Sequence, residues 1–230
     1  MASRPVYIPN KVGEVGVEVK EVEFKWFPGM AKSQKQKSII SLHEEANTLG
    51  VNNILEISSK SENPLGVNLS AFNLSSSSKN NVKFTVETAF QSSKVFEHSG
   101  PHKDLLYKSS LEAKKDIRLK ESGNLIKFIF FDEEFSLDPK TFFYDWVYLN
   151  TLHKNKGLAE EIMEYSAFTD IEFNPKKSIN CQAFSAALYV SLSYSRLLDD
   201  ALKNPEDFLD VMSDVYKPIG SELNIQKKLC

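Results

Sequence analysis

The stretch "CQAFSAALYVSLSYSRLL" (181–198) constrains the fold more than any other part of the chain. It carries no charged residue before Arg196, and its apolar and small residues fall on every side of a helical projection. A helix that is apolar nearly all round sits inside a domain, with other elements packed about it. The remainder of the 230 residues must therefore supply a shell, and that length is enough for one sizeable domain with a buried core.

The shell reads as α+β, richer in helix than in strand. "VGVEVKEVEFKW" (15–26) alternates apolar and charged residues as a strand does. "KSQKQKSIISLHEEANTLG" (32–50) starts basic and becomes a helix with Ile39, Leu42, Ala46 and Leu49 on one face and Gly50 as its stop. Residues 52–74 predict a short strand, a polar turn around Pro64 and Gly66, and a second extended piece; "SSSSKNN" (75–81) predicts a loop. Helices follow over 84–101 and 104–123, then a buried strand "NLIKFIFF" (124–131), helices over 141–155 and 158–166, and an extended piece with a loop over 168–180. Past the central helix the chain stays helical through "EDFLDVMSDVY" (206–216) and ends in a loose tail. Strand and helix do not alternate in βαβ fashion, which excludes a doubly wound parallel sheet.

Composition removes several function classes. A net charge of −3 argues against a basic surface that coats nucleic acid, and leaves room only for local patches such as "KSQKQK" (32–37) and "EAKKDIRLK" (112–120). The start "MASRPVYIPNK" lacks a secretory apolar region, and the longest apolar run, "LIKFIFF", is too short to span a bilayer. Cys181 and Cys230 form no disulfide framework, Cys230 reading as a free thiol on the tail, so a cytoplasmic protein without a membrane partner is expected. His98 and His102 lose helical ligand spacing to Gly100 and Pro101 between them. No metal is expected, and with neither a phosphate loop nor a dinucleotide fingerprint, no cofactor.

The segment "FTVETAFQSSKVFEHSGP" (84–101) carries the chemistry. Read as one helix from an N-cap at Thr85 to Gly100 and Pro101, it places Glu87, Gln91 and Lys94 at i, i+4 and i+7. At about 100° per residue they share a wedge of roughly 60°. A carboxylate, an amide and an amine in one line, bordered by Phe90 and Val95, read either as a surface stripe with a dipole-complementing Glu87 or as one wall of a cleft. Asp170, between apolar neighbours in "FTDIEF", reads as a turn aspartate or as a carboxylate entering a pocket. "FFYDW" (142–146) reads first as core, and less readily as a lining for a base.

These residues carry a resemblance. "VETAFQSSKVF" resembles the signature of the NADAR family, "LSAFNL" (69–74) its preceding Ser-Asn-Phe-like segment, and "AFTDIEFNPKKSINCQAFSAALYVSL" (167–192) its C-terminal block, all in the family's order over residues 52–192. With "FKWFPGMAKSQKQKSIISLH" (24–43) ahead of them, the chain is similar to the NADAR branch encoded as antitoxin beside DarT-type toxins, which attach ADP-ribose to DNA bases. The resemblance implies one helix-rich NADAR-type domain with a small sheet: an N-terminal extension (1–51), a core (52–198) and a C-terminal helical extension (199–230). It implies an N-glycosidic hydrolase that removes ADP-ribose from guanine in DNA. Glu87, Lys94 and Asp170 would then be catalytic, and Gln91, Ser70, Phe72, Asn73, Trp146 and Asn180 would bind substrate. Where family members follow the acidic residue with an aromatic–Trp–Gly turn, this chain has "IEFNPKKS", and Trp146 stands upstream. The expected partners are ADP-ribosylated DNA, ADP-ribose and the cognate toxin. The rival readings are a binding module without turnover and an antitoxin that acts by contact.

Overall fold

The computed structural model describes residues 1–78, 81–176 and 178–226, with side chains placed up to residue 217. Helix exceeds strand, about 45% against 19%, and the strands form small sheets within one α+β domain. In chain order the elements are β1 (Ala2–Pro9), β2 (Val17–Phe24), α1 (Lys32–Thr48), β3 (Ile54–Glu56), α2 (Pro64–Asn68), β4 (Ser75–Ser77), β5 (Lys83–Thr85), α3 (Val86–Ser92) and β6 (Lys94–Phe96). A 3-10 turn (Lys103–Tyr107), α4 (Ser110–Lys115), α5 (Arg118–Glu121), β7 (Leu125–Phe130) and β8 (Glu133–Phe135) follow. The last third holds α6 (Phe142–Lys154), α7 (Lys156–Glu161), a 3-10 turn (Ile162–Glu164), β9 (Ala167–Thr169), α8 (Gln182–Tyr194), α9 (Leu198–Ala201) and α10 (Pro205–Gln226). Cys230 and the end of the expected tail lie outside the described residues.

The largest sheet has the order β2-β1-β9-β3, antiparallel except for the parallel pair β3 and β9. Alternation along its central strands feeds two cores. Val6, Ala167 and Ile171 join Val22, Phe24, Ile39, Leu42 and Ala46 under α1. Tyr7, Leu55 and Phe168 face the other way, into the main core around α6 and α8. Strands buried on both faces have no polar side left to alternate with, which is why "RPVYIP" shows little strand periodicity. The expected central helix is α8: Ala183, Ala186, Ala187, Leu188, Val190 and Leu192 are completely buried. The N-terminal segment is thus part of the main sheet, and β1 is one of its two inner strands.

Five expectations are corrected. The loop expected over 75–81 begins as strand β4, paired antiparallel with β5. The helix over 84–101 stops at Ser92, and Lys94–Phe96 is strand β6, paired antiparallel with β7. Ser92 and Ser93 both turn their hydroxyls back onto the Ala89 carbonyl, at 3.2 and 2.7 Å, which competes with helix continuation. Val95 and Phe96 then fit an extended ladder better than another turn. Gly100 ends a reverse turn, with φ +101° and the Lys94 carbonyl where a Cβ would stand. The helix over 104–123 is three short pieces. Ser109 caps α4 in a capping box with Glu112, and Asp116 Oδ1 accepts the Arg118 N–H at 3.0 Å, breaking the run. The polar turn around Pro64 and Gly66 is helix α2, capped by Asn63 Oδ1 on the Leu65 N–H at 2.9 Å, and the piece expected to be extended after it runs as turns up to Asn73. The strand over 124–131 forms as β7, but only Phe128 in it is buried.

Candidate active site

The interior of the fold opens into a cavity of about 910 Å³ between α3, α4, β7, α6 and the loop from β9 to α8. Its lining includes Ser70, Ala71, Phe72, Glu87, Phe90, Gln91, Lys94, Phe128, Tyr144, Asp170, Phe173, Asn180 and Gln182, with Lys60, Lys114, Lys115 and Lys140 also present. Sequence positions far apart therefore meet: the stripe, the "SAF" turn (70–72) and both ends of the 170–182 loop.

The stripe is a hydrogen-bonded relay. Thr85 caps α3 through the Thr88 N–H at 3.1 Å, which sets Glu87 in the first turn. The Glu87 N–H donates to the Ala71 carbonyl at 2.9 Å, so α3 starts against the Ser70–Phe72 turn. Gln91 Nε2 donates to Glu87 Oε1 at 2.8 Å, and Lys94 Nζ donates to Gln91 Oε1 at 2.8 Å. Lys94 meets this line although it stands on β6, because the chain turns at Ser93 and brings the lysine back over the Phe90 ring, 4.5 Å from its centroid. Glu87 and Gln91 are each only 6% exposed, so the surface-stripe reading does not describe them. Burial pushes the Lys94 ammonium down to about 8; Glu87 opposes that shift and Lys114 adds to it. At pH 7 Lys94 is then mostly ammonium, with about a tenth as free amine.

Asp170 leaves the end of β9 and turns into the same cavity. Its Oδ1 accepts the N–H groups of Glu172 and Phe173 at 2.9 and 3.1 Å. Burial, reinforced by the charge of Glu56, nevertheless pushes its carboxyl well above the usual range. Gln182, the first residue of α8, ties the pieces together: Oε1 accepts the Ala71 N–H at 2.7 Å and Nε2 donates to the Ile57 carbonyl at 2.6 Å. Ser110 Oγ bridges Thr85 Oγ1 (2.8 Å) and the Phe72 carbonyl (2.9 Å), fixing α4 and its lysines beside the opening.

The cavity brings together Ser70, Phe72, Glu87, Gln91, Lys94, Asp170 and Asn180. Asn73 is not in the lining; its Nδ2 braces the turn through the Val67 carbonyl and Ser70 Oγ. Trp146 is not in the lining either, and packs on Phe135 and Phe208. Tyr144, two residues earlier on α6, is the aromatic of "FFYDW" that reaches the cavity, edge-on to Phe90 at 5.3 Å. Tyr144 had a signal in the aromatic cluster; Gln182 had none, since an amide opening a helix is unremarkable in sequence. Asn180 Oδ1 is buried without a hydrogen-bond donor among the described residues, which leaves an acceptor available on the cavity wall.

A family model described as DarT1-associated NADAR antitoxin matches residues 2–219. The chain belongs to this family. Membership gives it an antitoxin role associated with a DarT toxin. The match begins in β1 and takes in both N-terminal strands. No curated protein matches the chain. Among the described residues of this antitoxin, no helix is long and apolar enough to cross a membrane.

Proposed function

We propose that this antitoxin hydrolyses the N-glycosidic bond between ADP-ribose and guanine in DNA, and so reverses the modification made by its toxin. The observation that carries the reading is the relay Glu87–Gln91–Lys94, buried in a cavity large enough for a nucleotide-sized ligand.

The bond to be cut joins the anomeric carbon of a ribose to a nitrogen of the base. As it breaks, positive charge develops on the ribose, and a buried carboxylate stabilises that charge more strongly than water does. Glu87 takes this role, accepts the proton of the attacking group and passes it to the departing guanine nitrogen, so that the base leaves neutral and unmodified. Gln91 holds Glu87 in place and meets the ribose hydroxyls. Asn180 Oδ1 accepts a ligand hydroxyl or amino group, and Asp170 engages the adenine or the second ribose. Phe72, Phe90 and Tyr144 offer aromatic faces to a base, and Lys114, Lys115 and Lys140 neutralise the diphosphate or neighbouring DNA phosphates. Two routes share this geometry. Glu87 directs a water to the anomeric carbon, or the Lys94 amine attacks it first and water releases the adduct.

The test is incubation of purified protein with a strand carrying one ADP-ribosylated guanine. Catalytic release of free ADP-ribose over many turnovers is the expected result. Tight stoichiometric binding without release would make the protein a binding module. Neither release nor binding, with the toxin co-purifying, would make it a contact inhibitor.

A further inference from the structure

Glu56 ends β3 inside the apolar run "NILEI" (53–57) and is 3% exposed. It is not in the cavity lining. Its carboxylate reaches across to the neighbouring parallel strand, where Glu56 stands opposite Thr169. Oε2 accepts the Thr169 hydroxyl at 2.7 Å, and Oε1 accepts the Ile171 N–H at 2.8 Å. These are the two residues that flank Asp170. The last backbone bond of the pair, Ile57 N–H to the Thr169 carbonyl at 2.7 Å, precedes this grip, which extends the ladder by one side chain. Helix α1 supports it from behind. His43 Nε2 lies 2.8 Å from Thr169 Oγ1, and Lys35 pairs with Glu172 at 3.1 Å. Burial holds His43 down to about 4, so its ring is neutral at physiological pH, and with hydrogen on Nε2 it donates to the hydroxyl that donates to Glu56. Close packing preserves the arrangement, because a Cβ at Gly66 would overlap the Glu56 carbonyl oxygen.

We infer that Glu56 is a positioning residue of the site: by gripping the residues on both sides of Asp170 it aims that side chain into the cavity. A buried carboxylate is costly to keep in a strand unless its bonds serve something, and two of these bonds hold the residues on either side of Asp170. Burial pushes the Glu56 carboxyl up as it does that of Asp170, and the charge of Glu56 raises Asp170 further. Asp170 is faced by Tyr7 from β1, Tyr144 and Tyr148 from α6, Cys181 at the start of α8, and Glu172 on its own loop. The phenols and the thiol are pushed further up by burial and stay neutral, and Lys35 meets the charge of Glu172. Glu56 is then the charge whose removal moves the titration of Asp170. The effect on ligand binding rests on the ADP-ribose reading; the effect on Asp170 itself does not.

The test has two parts. Carbon-13 carboxyl resonances of ligand-free protein, with the Asp170 signal identified by Asp170→Asn, give its titration midpoint. In Glu56→Gln, which keeps the shape, still accepts the Ile171 N–H through its amide oxygen and can donate its amide N–H to the Thr169 hydroxyl oxygen, the midpoint is expected to fall by about one pH unit or more. Calorimetry with ADP-ribose then compares Thr169→Val, expected to bind about tenfold more weakly for loss of the hydroxyl, with Thr169→Ser, expected to bind as wild type does. Melting curves check folding, and should Glu56→Gln not fold, the threonine pair decides. An unmoved midpoint in Glu56→Gln, or Thr169→Val binding like wild type, would overturn the inference. A shifted midpoint in a protein that does not bind ADP-ribose would leave the Glu56 grip standing and remove the ADP-ribose reading.

Discussion

At the scale of single residues, the relay makes separable demands on its members. Glu87→Gln keeps volume and the contact with Gln91 but removes the charge, so the fold should persist while hydrolysis falls by at least about a hundredfold. A variant with unchanged turnover would return Glu87 to a helix-dipole role. Lys94 is tested by substitution and by pH together. If its amine attacks, Lys94→Arg fails almost as badly as Lys94→Ala, because a guanidinium stays protonated. The wild-type rate then rises with pH through about 8, where the amine is freed. If Lys94 serves only as a cation, Lys94→Arg keeps much of the activity and the rate falls through the same window. Initial rates from about pH 6 to about pH 10 distinguish the two.

At the scale of elements, the structure exposes what the sequence could and could not convey. Helices α1, α6 and α8 were legible because each has a long apolar face or an apolar circumference. The break at Ser93 was not, since serine side chains that end a helix look the same in sequence as serines within one; the decisive fact is that β7 is there to pair with Val95 and Phe96. The meeting of Glu87, Gln91 and Lys94 was anticipated from helical phase, yet it arises from a helix followed by a turn. Asp170 was visible as an acid among apolar neighbours, whereas Gln182 depends on a long-range contact that no local pattern encodes. One buried acid joins three elements: Asp145 on α6 accepts the Ser185 hydroxyl at 2.6 Å and the Tyr216 hydroxyl at 3.1 Å. Burial raises its carboxyl from 3.8 to about 6. The folded state therefore binds the proton more tightly, and the stabilisation is complete below the unfolded value and lost as pH rises through about 6. Asp145→Asn, which can still bond both hydroxyls, should gain on wild type between about pH 4 and about pH 7, by something on the order of 2–3 kcal/mol in denaturant unfolding. A pH-independent difference would contradict the assignment.

At the scale of the whole molecule, the N-terminal segment and the site belong to one structure. Because β1 is an inner strand and α1 covers one core, deleting residues 1–51 should abolish cooperative unfolding in calorimetry instead of yielding a smaller active domain. The surface bears on the partner. Arg118 is engaged by Asp104 and Asp116, and Lys35 by Glu172, which leaves Lys60, Lys114, Lys115 and Lys140 beside the cavity as the cations best placed for DNA. Contacts from those four predict a shallow log–log salt slope of roughly −2 to −3 for binding modified single strands, and a slope near zero would mean the phosphates are not touched. The central claim, that this cavity restores guanine by cutting its bond to ADP-ribose, is tested most directly by the mass of the base that remains. A strand carrying one ADP-ribosylated guanine is treated with wild-type protein or with Glu87→Gln, digested to nucleosides and weighed. Unmodified deoxyguanosine from the wild type, with the adduct intact after Glu87→Gln, is the predicted result. An adduct that survives the wild-type protein, or one that Glu87→Gln removes equally fast, would contradict it.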